Sequence, residues 1–500
     1  MSLVRASAPA LDEAAGMLRE LSVARQVFAL YQAGHPKREE AVIDLLASVR
    51  RLDQLVRGSI VLFIGRKGFY LGPTLLPRAS LTYYGLLEAF EDAGIEAVEL
   101  LPAADAEELS VFVSILCREA DANEHLSGIR INSVRPIREA NEEPGPMKEL
   151  LRSYASGVQF LQETAQRVAA GRPATMEQAE GITARLAEQV VADPAQALLL
   201  TTVKSYDEYT YYHMVNVCIL SIAIGQAIGL RRDQVVMLGA GGLLHDLGKV
   251  KVPKEILQQP GPLDEEQWRI VQRHPVDGVG LLLSSTRDLF HPALSMVLEH
   301  HAAYDRTGYP PLSGRRMPSV PARIVAVADC FDALTSRRQY RKAEERRQAL
   351  AILQAAAGRG YDPRIVRSFV RLLGLFPVGS LVRLTSGEVG LVVRNHETKP
   401  ARPVVRMVLD PRGDPLDVGE QREIDLSEQA ADGRHPRSVE RSLDPRDFDL
   451  DMLSLLSTGQ LEPSEHDDGV GLMHEPAYGE RPPLGYVDAH DELAVREATG

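Results

Sequence analysis

The sequence predicts a multidomain α+β protein: an N-terminal α/β domain, a central all-α helical bundle, a small C-terminal β module and a disordered tail. Three observations predict it. At 500 residues the chain is too long for one compact core, and two to four domains are expected. From about residue 148 to 376 the apolar pattern is helical, whereas after Phe376-Pro377 it alternates with period two. Beyond about residue 428 the chain is polar and rich in Asp, Glu, Pro and Gly.

The elements follow in order. Residues 1–145 form the N-terminal α/β domain, read as regulatory. Leu11 to Tyr31 is helical, with Leu18, Leu21, Val27 and Leu30 on the apolar stripe, and Glu40 to Leu55 is a second helix. Ser59 to Ile64 is a strand, and Gly65-Arg66-Lys67-Gly68 turns the chain into Phe69-Tyr70-Leu71. Leu81 to Ala93 reads as helix, Ala97 to Leu100 as strand and Ala106 to Cys117 as helix. This region has no nucleophile constellation and no glycine loop of the phosphate-cradling kind. Asn141 to Pro146 signals a linker, and residues 146–190 form a helical connector broken at Gly171-Arg172-Pro173. The connector helices either pack on their own domain or pair between subunits. Residues 191–376 form the helical domain and residues 377–427 the β module. In that module Ser380 to Thr385 and Val389 to Arg394 make a hairpin, with Val404 to Leu409 as third strand. Residues 428–500 form the acidic tail, with one apolar patch from Met452 to Leu456.

The chemistry concentrates in the helical domain. Two adjacent pairs, His245-Asp246 and His300-His301, are flanked by the single residues His213, His274 and Asp329, with gaps of roughly 26 to 32 residues. Imidazole with carboxylate suits borderline divalent metals such as iron, manganese or zinc. Seven ligands are too many for one tetrahedral zinc. They fit two metals bridged by a carboxylate, the arrangement of enzymes that displace an oxygen at phosphorus. Burying that many ionisable groups without partners would cost several kcal/mol each. Lys249 follows the His245-Asp246 pair at one helical turn and brings a cation to the site. His35 and His291, each preceding a proline, read as loop or surface histidines.

Charge and composition narrow the class. The net charge of −13 disfavours general nucleic-acid binding, so an anionic substrate needs local attraction. The three cysteines (Cys117, Cys218 and Cys330) have no paired spacing and point to a reducing compartment. The N-terminus lacks the pattern of a signal peptide, and no run reaches the roughly 18 apolar residues of a membrane span. A cytoplasmic location is expected.

The region from about 190 to 376 resembles the HD-GYP family, the branch of the HD superfamily associated with cyclic di-GMP hydrolysis. The resemblance rests on Asp207 to His213, on His245-Asp246-Leu247-Gly248-Lys249, and on His274-Pro275. It continues in His300-His301 with Asp305 and Gly308-Tyr309-Pro310, in Asp329 to Thr335, and in Arg338-Gln339-Tyr340-Arg341. It implies metal ligation by His213, His245, Asp246, His274, His300, His301 and Asp329, with Asp246 as the bridge. It implies two divalent ions, iron or manganese, and a metal-bound hydroxide attacking phosphorus. Lys249 would hold a phosphate oxygen, Arg338 and Arg341 the second phosphate or a guanine edge, and Tyr309 would face the substrate. The expected partners are a cyclic dinucleotide substrate, a diguanylate cyclase or another signalling protein, and a second copy of the chain.

Three positions depart from the family pattern. Ala302 stands where the family has Glu, and Arg306 where it has Gly, so the loop is expected to take another path. Tyr209 stands where some members carry a Glu aimed at a third metal, which favours two metals. The alternatives are a phosphohydrolase for another cyclic dinucleotide or nucleotide, and a sensor that binds without turnover. Ala302, Arg306 and Gln339 favour the sensor; the intact ligand set favours the enzyme.

Overall fold

In a computed structural model, the described residues are 7–56, 59–65, 68–120, 126–134, 146–173, 176–202, 209–257, 259, 261–284, 291–336, 344–396, 399–416, 420–429 and 434–443. They fall into two units, residues 1–159 and residues 160–461.

In the first unit, α1 (Ala8–Leu30) and α2 (Pro36–Leu55) begin at prolines in their first turns, a position where the missing N–H costs nothing. Strands β1 (Ile60–Gly65), β2 (Gly68–Leu71) and β3 (Thr74–Leu75) form a meander, and the residues of its first turn, Arg66 and Lys67, lie outside the described set. After α3 (Pro77–Thr82) and α4 (Tyr84–Asp92) come β4 (Ala97–Leu100), α5 (Ala106–Leu116) and β5 (Ile129–Ile131). The sheet order is β3-β2-β1-β4-β5, antiparallel throughout, with Leu62 opposite Leu71 and Phe63 opposite Ala97. Period-two alternation sends Leu62 and Ile64 into a core with Leu18, Leu45, Leu52, Phe90 and Phe112. Phe63, Tyr70 and Ala97 form a smaller cluster. The single helix expected over Leu81 to Ala93 is two helices, because Tyr83 leaves helical geometry at φ −107° and ψ 39°.

Helix α6 (Pro146–Ala169) crosses the division between the units. The second unit continues with α7 (Met176–Ala192), α8 (Pro194–Leu200), α9 (Tyr209–Ala227) and α10 (Arg232–Leu244). A 3-10 turn (Leu247–Lys251) leads to α11 (Lys254–Leu257), α12 (Glu265–Val271), α13 (His274–Leu283), α14 (Pro292–Glu299), α15 (Val320–Thr335), α16 (Arg346–Ala355) and α17 (Pro363–Leu373). Helix α9 is apolar on every side and sits at the centre: Val215, Val217, Cys218, Ile219, Leu220 and Ile222 are all fully buried. Each such aliphatic side chain contributes about 1.5–3 kcal/mol. The small-residue run ahead of His245 lets α10 approach closely, since a Cβ on Gly242 would lie 3.1 Å from the Cys218 backbone. That approach brings the C-terminal end of α10 beside the ligand-bearing part of α9.

The five C-terminal strands are β6 (Leu381–Leu384), β7 (Val389–Arg394), β8 (Val404–Leu409), β9 (Glu423–Asp425) and β10 (Val439–Leu443). Their order is β10-β6-β7-β8-β9, antiparallel, over a core of Val382, Leu384, Val392, Val405 and Met407. The tail expected from residue 428 therefore begins later: β10 pairs with β6, placing Leu443 opposite Leu381. Glu440, Arg441 and Ser442 make that segment look polar because it is an edge strand with one half-solvated face. Residues 444–500, including the Met452–Leu456 patch, lie outside the described set. No helix among the described residues is long and apolar enough to cross a membrane.

Candidate metal centre

Five helices deliver the seven expected ligands. His213 lies in the first half of α9, and Asp329 in the second half of α15. His245 caps the C-terminus of α10, with Asp246 next to it. His274 opens α13, and His300 caps the C-terminus of α14, followed by His301. His213, His245, Asp246, His274 and His300 are each at most 3% exposed.

The carboxylate of Asp246 has two sides. Its Oδ2 lies 3.3 Å from His245 Nε2 and 3.8 Å from His213 Nε2. Its Oδ1 lies 3.2 Å from His274 Nε2 and 3.8 Å from His300 Nε2. Asp329 Oδ1 joins the first side, 3.1 Å from His213 Nε2 and 4.0 Å from His245 Nε2. Two groups thus have the proximity a metal ion needs: His213, His245 and Asp246, and Asp246, His274, His300 and His301.

The imidazoles are pinned so that Nε2 points inward. Nδ1 of His245, His274 and His300 donates to the carbonyls of Gly242, Val271 and Val297 at 2.8, 2.8 and 2.9 Å. A carbonyl can only accept, so Nδ1 carries the proton and Nε2 keeps its lone pair for a ligand. His213 Nδ1 meets a carboxylate instead, Asp332 Oδ2 at 2.8 Å. The buried Nε2 of His245 has no hydrogen-bond partner among the described residues. A lone pair left uncompensated in a buried site fits a divalent ion and is otherwise costly. The donor set, imidazole nitrogen with carboxylate oxygen, is that of borderline divalent metals.

The electrostatics follow from burial and charge. Burial opposes ionised His213, but hydrogen bonds to Asp329 and Asp332 outweigh it and raise its pKa to about 9. Burial, with the neighbouring His245 and His274, pushes His300 down to about 3. His274 and His301 are also lowered, by burial first. Burial would raise Asp246, but Lys249 and His245 hold it well below the usual carboxylate range. Asp329 is likewise lowered, against its burial, chiefly by His213.

Lys249 sits in the 3-10 turn with its Nζ 2.5 Å from Asp246 Oδ2. Tyr309 is 5% exposed and stacks on His301 with ring centroids 4.6 Å apart. Its loop closes on the ligand pair through Tyr309 N donating to His301 O at 3.1 Å. Gly308, at φ +81°, permits the closure, because a Cβ there would lie 2.3 Å from His301 O. Arg306 takes the left-handed conformation at φ +75°, so arginine occupies backbone geometry that glycine would adopt at lower cost. Ala302 pairs with Gly308 across the loop as an isolated bridge. Arg338, Gln339 and Arg341 lie outside the described residues, as does Glu208, and nothing is described of the Tyr209 side chain.

Three residues beside the site escaped the sequence reading. Asp332 lies one helical turn after Asp329, a spacing that places both on one face of α15. Glu299, directly before the His pair, is 1% exposed and accepts from Ser319 N at 2.7 Å and from Arg316, tying the end of α14 to the following loop. Trp268, the single tryptophan, packs edge-on to Tyr309 at 5.6 Å. No local pattern marks Trp268, since its contact is made across the fold. His291, expected in a loop or at the surface, caps the N-terminus of α14 and pairs with Glu180 Oε1 at 2.6 Å, half-buried.

The helical domain converges buried imidazoles and carboxylates on shared points, a donor set that a divalent metal would take. Residues 185–365 match the family model described as the HD domain, and residues 381–431 match that of a KOW domain associated with HD domains. A cyclic di-GMP phosphodiesterase of Pseudomonas aeruginosa is 37% identical over 234 residues, covering 47% of this chain and 56% of the relative. The cyclic di-GMP phosphodiesterase response regulator RpfG of Xanthomonas campestris pv. campestris is 40% identical over 149 residues, covering 30% and 39%. A 3'3'-cGAMP-specific phosphodiesterase of Vibrio cholerae is 35% identical over 169 residues, covering 34% and 32%. Residues 185–365 thus carry an HD domain, and this part of the chain is similar to cyclic di-GMP phosphodiesterases. The matches span about a third to just over half the length of these relatives.

Proposed function

We propose that the chain is a metal-dependent cyclic dinucleotide phosphodiesterase of bacterial signalling, with cyclic di-GMP as substrate. The observation that carries the reading is the Asp246 carboxylate, which turns one oxygen to His213 and His245 and the other to His274 and His300. His213, His245, Asp246 and Asp329 would hold one ion, and Asp246, His274, His300 and His301 would hold the other. Iron or manganese suits this nitrogen and oxygen set. When bound, two such ions supply Lewis-acid charge and a water acidic enough to act as nucleophile at neutral pH.

The remaining work falls to side chains. Lys249, now held by Asp246, would turn to a non-bridging phosphate oxygen of the substrate. Tyr309 holds the His301 ring flat and walls the site against water. Arg338 and Arg341 are assigned to the second phosphate or a guanine edge. Hydrolysis opens the cyclic dinucleotide to a linear one. Among the described residues no cysteine forms a disulfide, which suits the cytoplasm. A diguanylate cyclase or another signalling protein, and a second copy of the chain, are the proposed partners.

The test is anaerobic incubation of the metal-loaded protein with cyclic di-GMP, followed by chromatography of the products. A linear dinucleotide that disappears in Asp246→Ala is the expected result. Full metal loading with no product from cyclic di-GMP would overturn the substrate. Binding without turnover of any cyclic dinucleotide would favour the sensor, to which the strained Arg306 loop lends some support.

A further inference from the structure

We propose that Asp332 is a positioning residue that orients and polarises His213 and so sets the affinity of only one of the two metal sites. The inference rests on the two-metal reading above. His213 differs from the three other imidazoles whose Nδ1 contacts are described. Those three donate to main-chain carbonyls three residues earlier, within their own helical turn. His213 instead meets a side-chain carboxylate 119 positions away, on α15. Both partners are buried, at 3% and 1% exposed.

The Asp332 carboxylate is itself supported. Ser336 Oγ donates to the Asp332 carbonyl at 2.6 Å and lies 3.3 Å from its Oδ2. Arg346, on α16 and partly exposed, adds a positive charge that interacts with Asp332. Its guanidinium packs over the Phe331 ring at 5.2 Å and donates to Thr201 Oγ1 at 3.2 Å. Burial lowers Arg346 to about 10, against the pull of Asp332, and still leaves it charged at neutral pH. A charged acceptor holds an N–H more strongly than a carbonyl does and makes the opposite nitrogen a better donor to a metal. Asp329 and Asp332 occupy one face of α15 and approach the two nitrogens of the same ring: Oδ1 of Asp329 at Nε2, and Oδ2 of Asp332 at Nδ1. Asp329 takes the side where the ion binds, and Asp332 takes the side that fixes the tautomer. At the second site, Nδ1 of His274 and Nδ1 of His300 face main-chain carbonyls, those of Val271 and Val297.

The probe is Co(II) alone, titrated into metal-free full-length protein under anaerobic conditions. Binding is read by visible absorption and by competition with a chelator. Wild type is expected to take two equivalents. Asp332→Ala and the isosteric Asp332→Asn are expected to keep one site at wild-type affinity and to weaken the other by about 10- to 100-fold. Asp332→Glu is expected to restore part of that loss. Fluorescence of Trp268 and circular dichroism report whether each variant is folded, and Asp332→Asn carries the test if Asp332→Ala does not fold. Two unchanged sites in folded Asp332→Asn would overturn the proposal while leaving the two-metal reading intact. Equal weakening of both sites would also overturn it, since that marks a structural role. Fewer than two equivalents in wild type would overturn the two-metal reading itself, and the proposal with it.

Discussion

Metal-free protein should be most stable near pH 6.5 and lose stability on both sides, because two buried histidines are shifted in opposite directions. His300 falls to about 3 in the folded chain, against an ordinary value of 6.5. Between those values the unfolded chain binds a proton that the folded chain does not, so stability drops as pH falls from 6.5 towards 3. His213 rises to about 9. Its contribution is fully present below 6.5 and is lost as pH rises through 9. One proton corresponds to about 1.4 kcal/mol per pH unit. The alkaline limb should therefore fall by about 3 kcal/mol between pH 6.5 and 9, at one proton per unit. The acid limb should be steeper, because His274 and His301 are lowered as well. The assay is urea unfolding followed on Trp268, whose place against Tyr309 makes it report the metal-binding domain. His300→Gln should flatten the acid limb, and metal loading should abolish the alkaline one, since the ion replaces the His213 proton. A metal-free stability that climbs steadily from pH 6.5 to 9 would refute the reasoning.

Three further outcomes are expected. Arg306→Gly should stabilise the protein by about 1 kcal/mol, because arginine at φ +75° pays a left-handed penalty that glycine avoids; an unchanged or lowered urea midpoint would show the loop is not strained. Gly308→Ala should instead destabilise by at least about 2 kcal/mol and weaken metal loading, since its Cβ would meet His301 O at 2.3 Å; unchanged metal content by elemental analysis would contradict the close-approach argument. Stripping metal with a chelator should lower stability by about 2.7 kcal/mol for each site relative to protein held at a hundredfold excess over Kd, with recovery on adding Mn(II); a melting temperature indifferent to metal would argue against the assigned ligands.

Much of this protein could be read from its residues because the signals are local. The apolar run around His213, the Gly-rich approach to His245 and the helix through Asp329 each state their own secondary structure. The order of ligands, taken with that apolar context, pointed to a buried metal centre without coordinates. The period-two pattern after Phe376 marked three strands of the C-terminal sheet. It missed β10, because an edge strand that buries one face and carries Glu440 and Arg441 looks like tail. The break at Tyr83 falls in Thr82-Tyr83-Tyr84-Gly85, weak helix formers whose signal the apolar periodicity on either side masked.

By itself, then, the sequence determined which residues are candidates to supply donor atoms, because burying seven ionisable groups on apolar helices calls for a common partner. Tertiary structure alone decided how those donors divide into two groups. The division depends on which oxygen of Asp246 faces which helix, and that follows from the packing of α9, α10, α13 and α14. Only the fold, too, could bring Asp332 to Nδ1 of His213 and Trp268 to Tyr309. Contacts between side chains far apart in sequence are set by helix packing, and no local spacing encodes them.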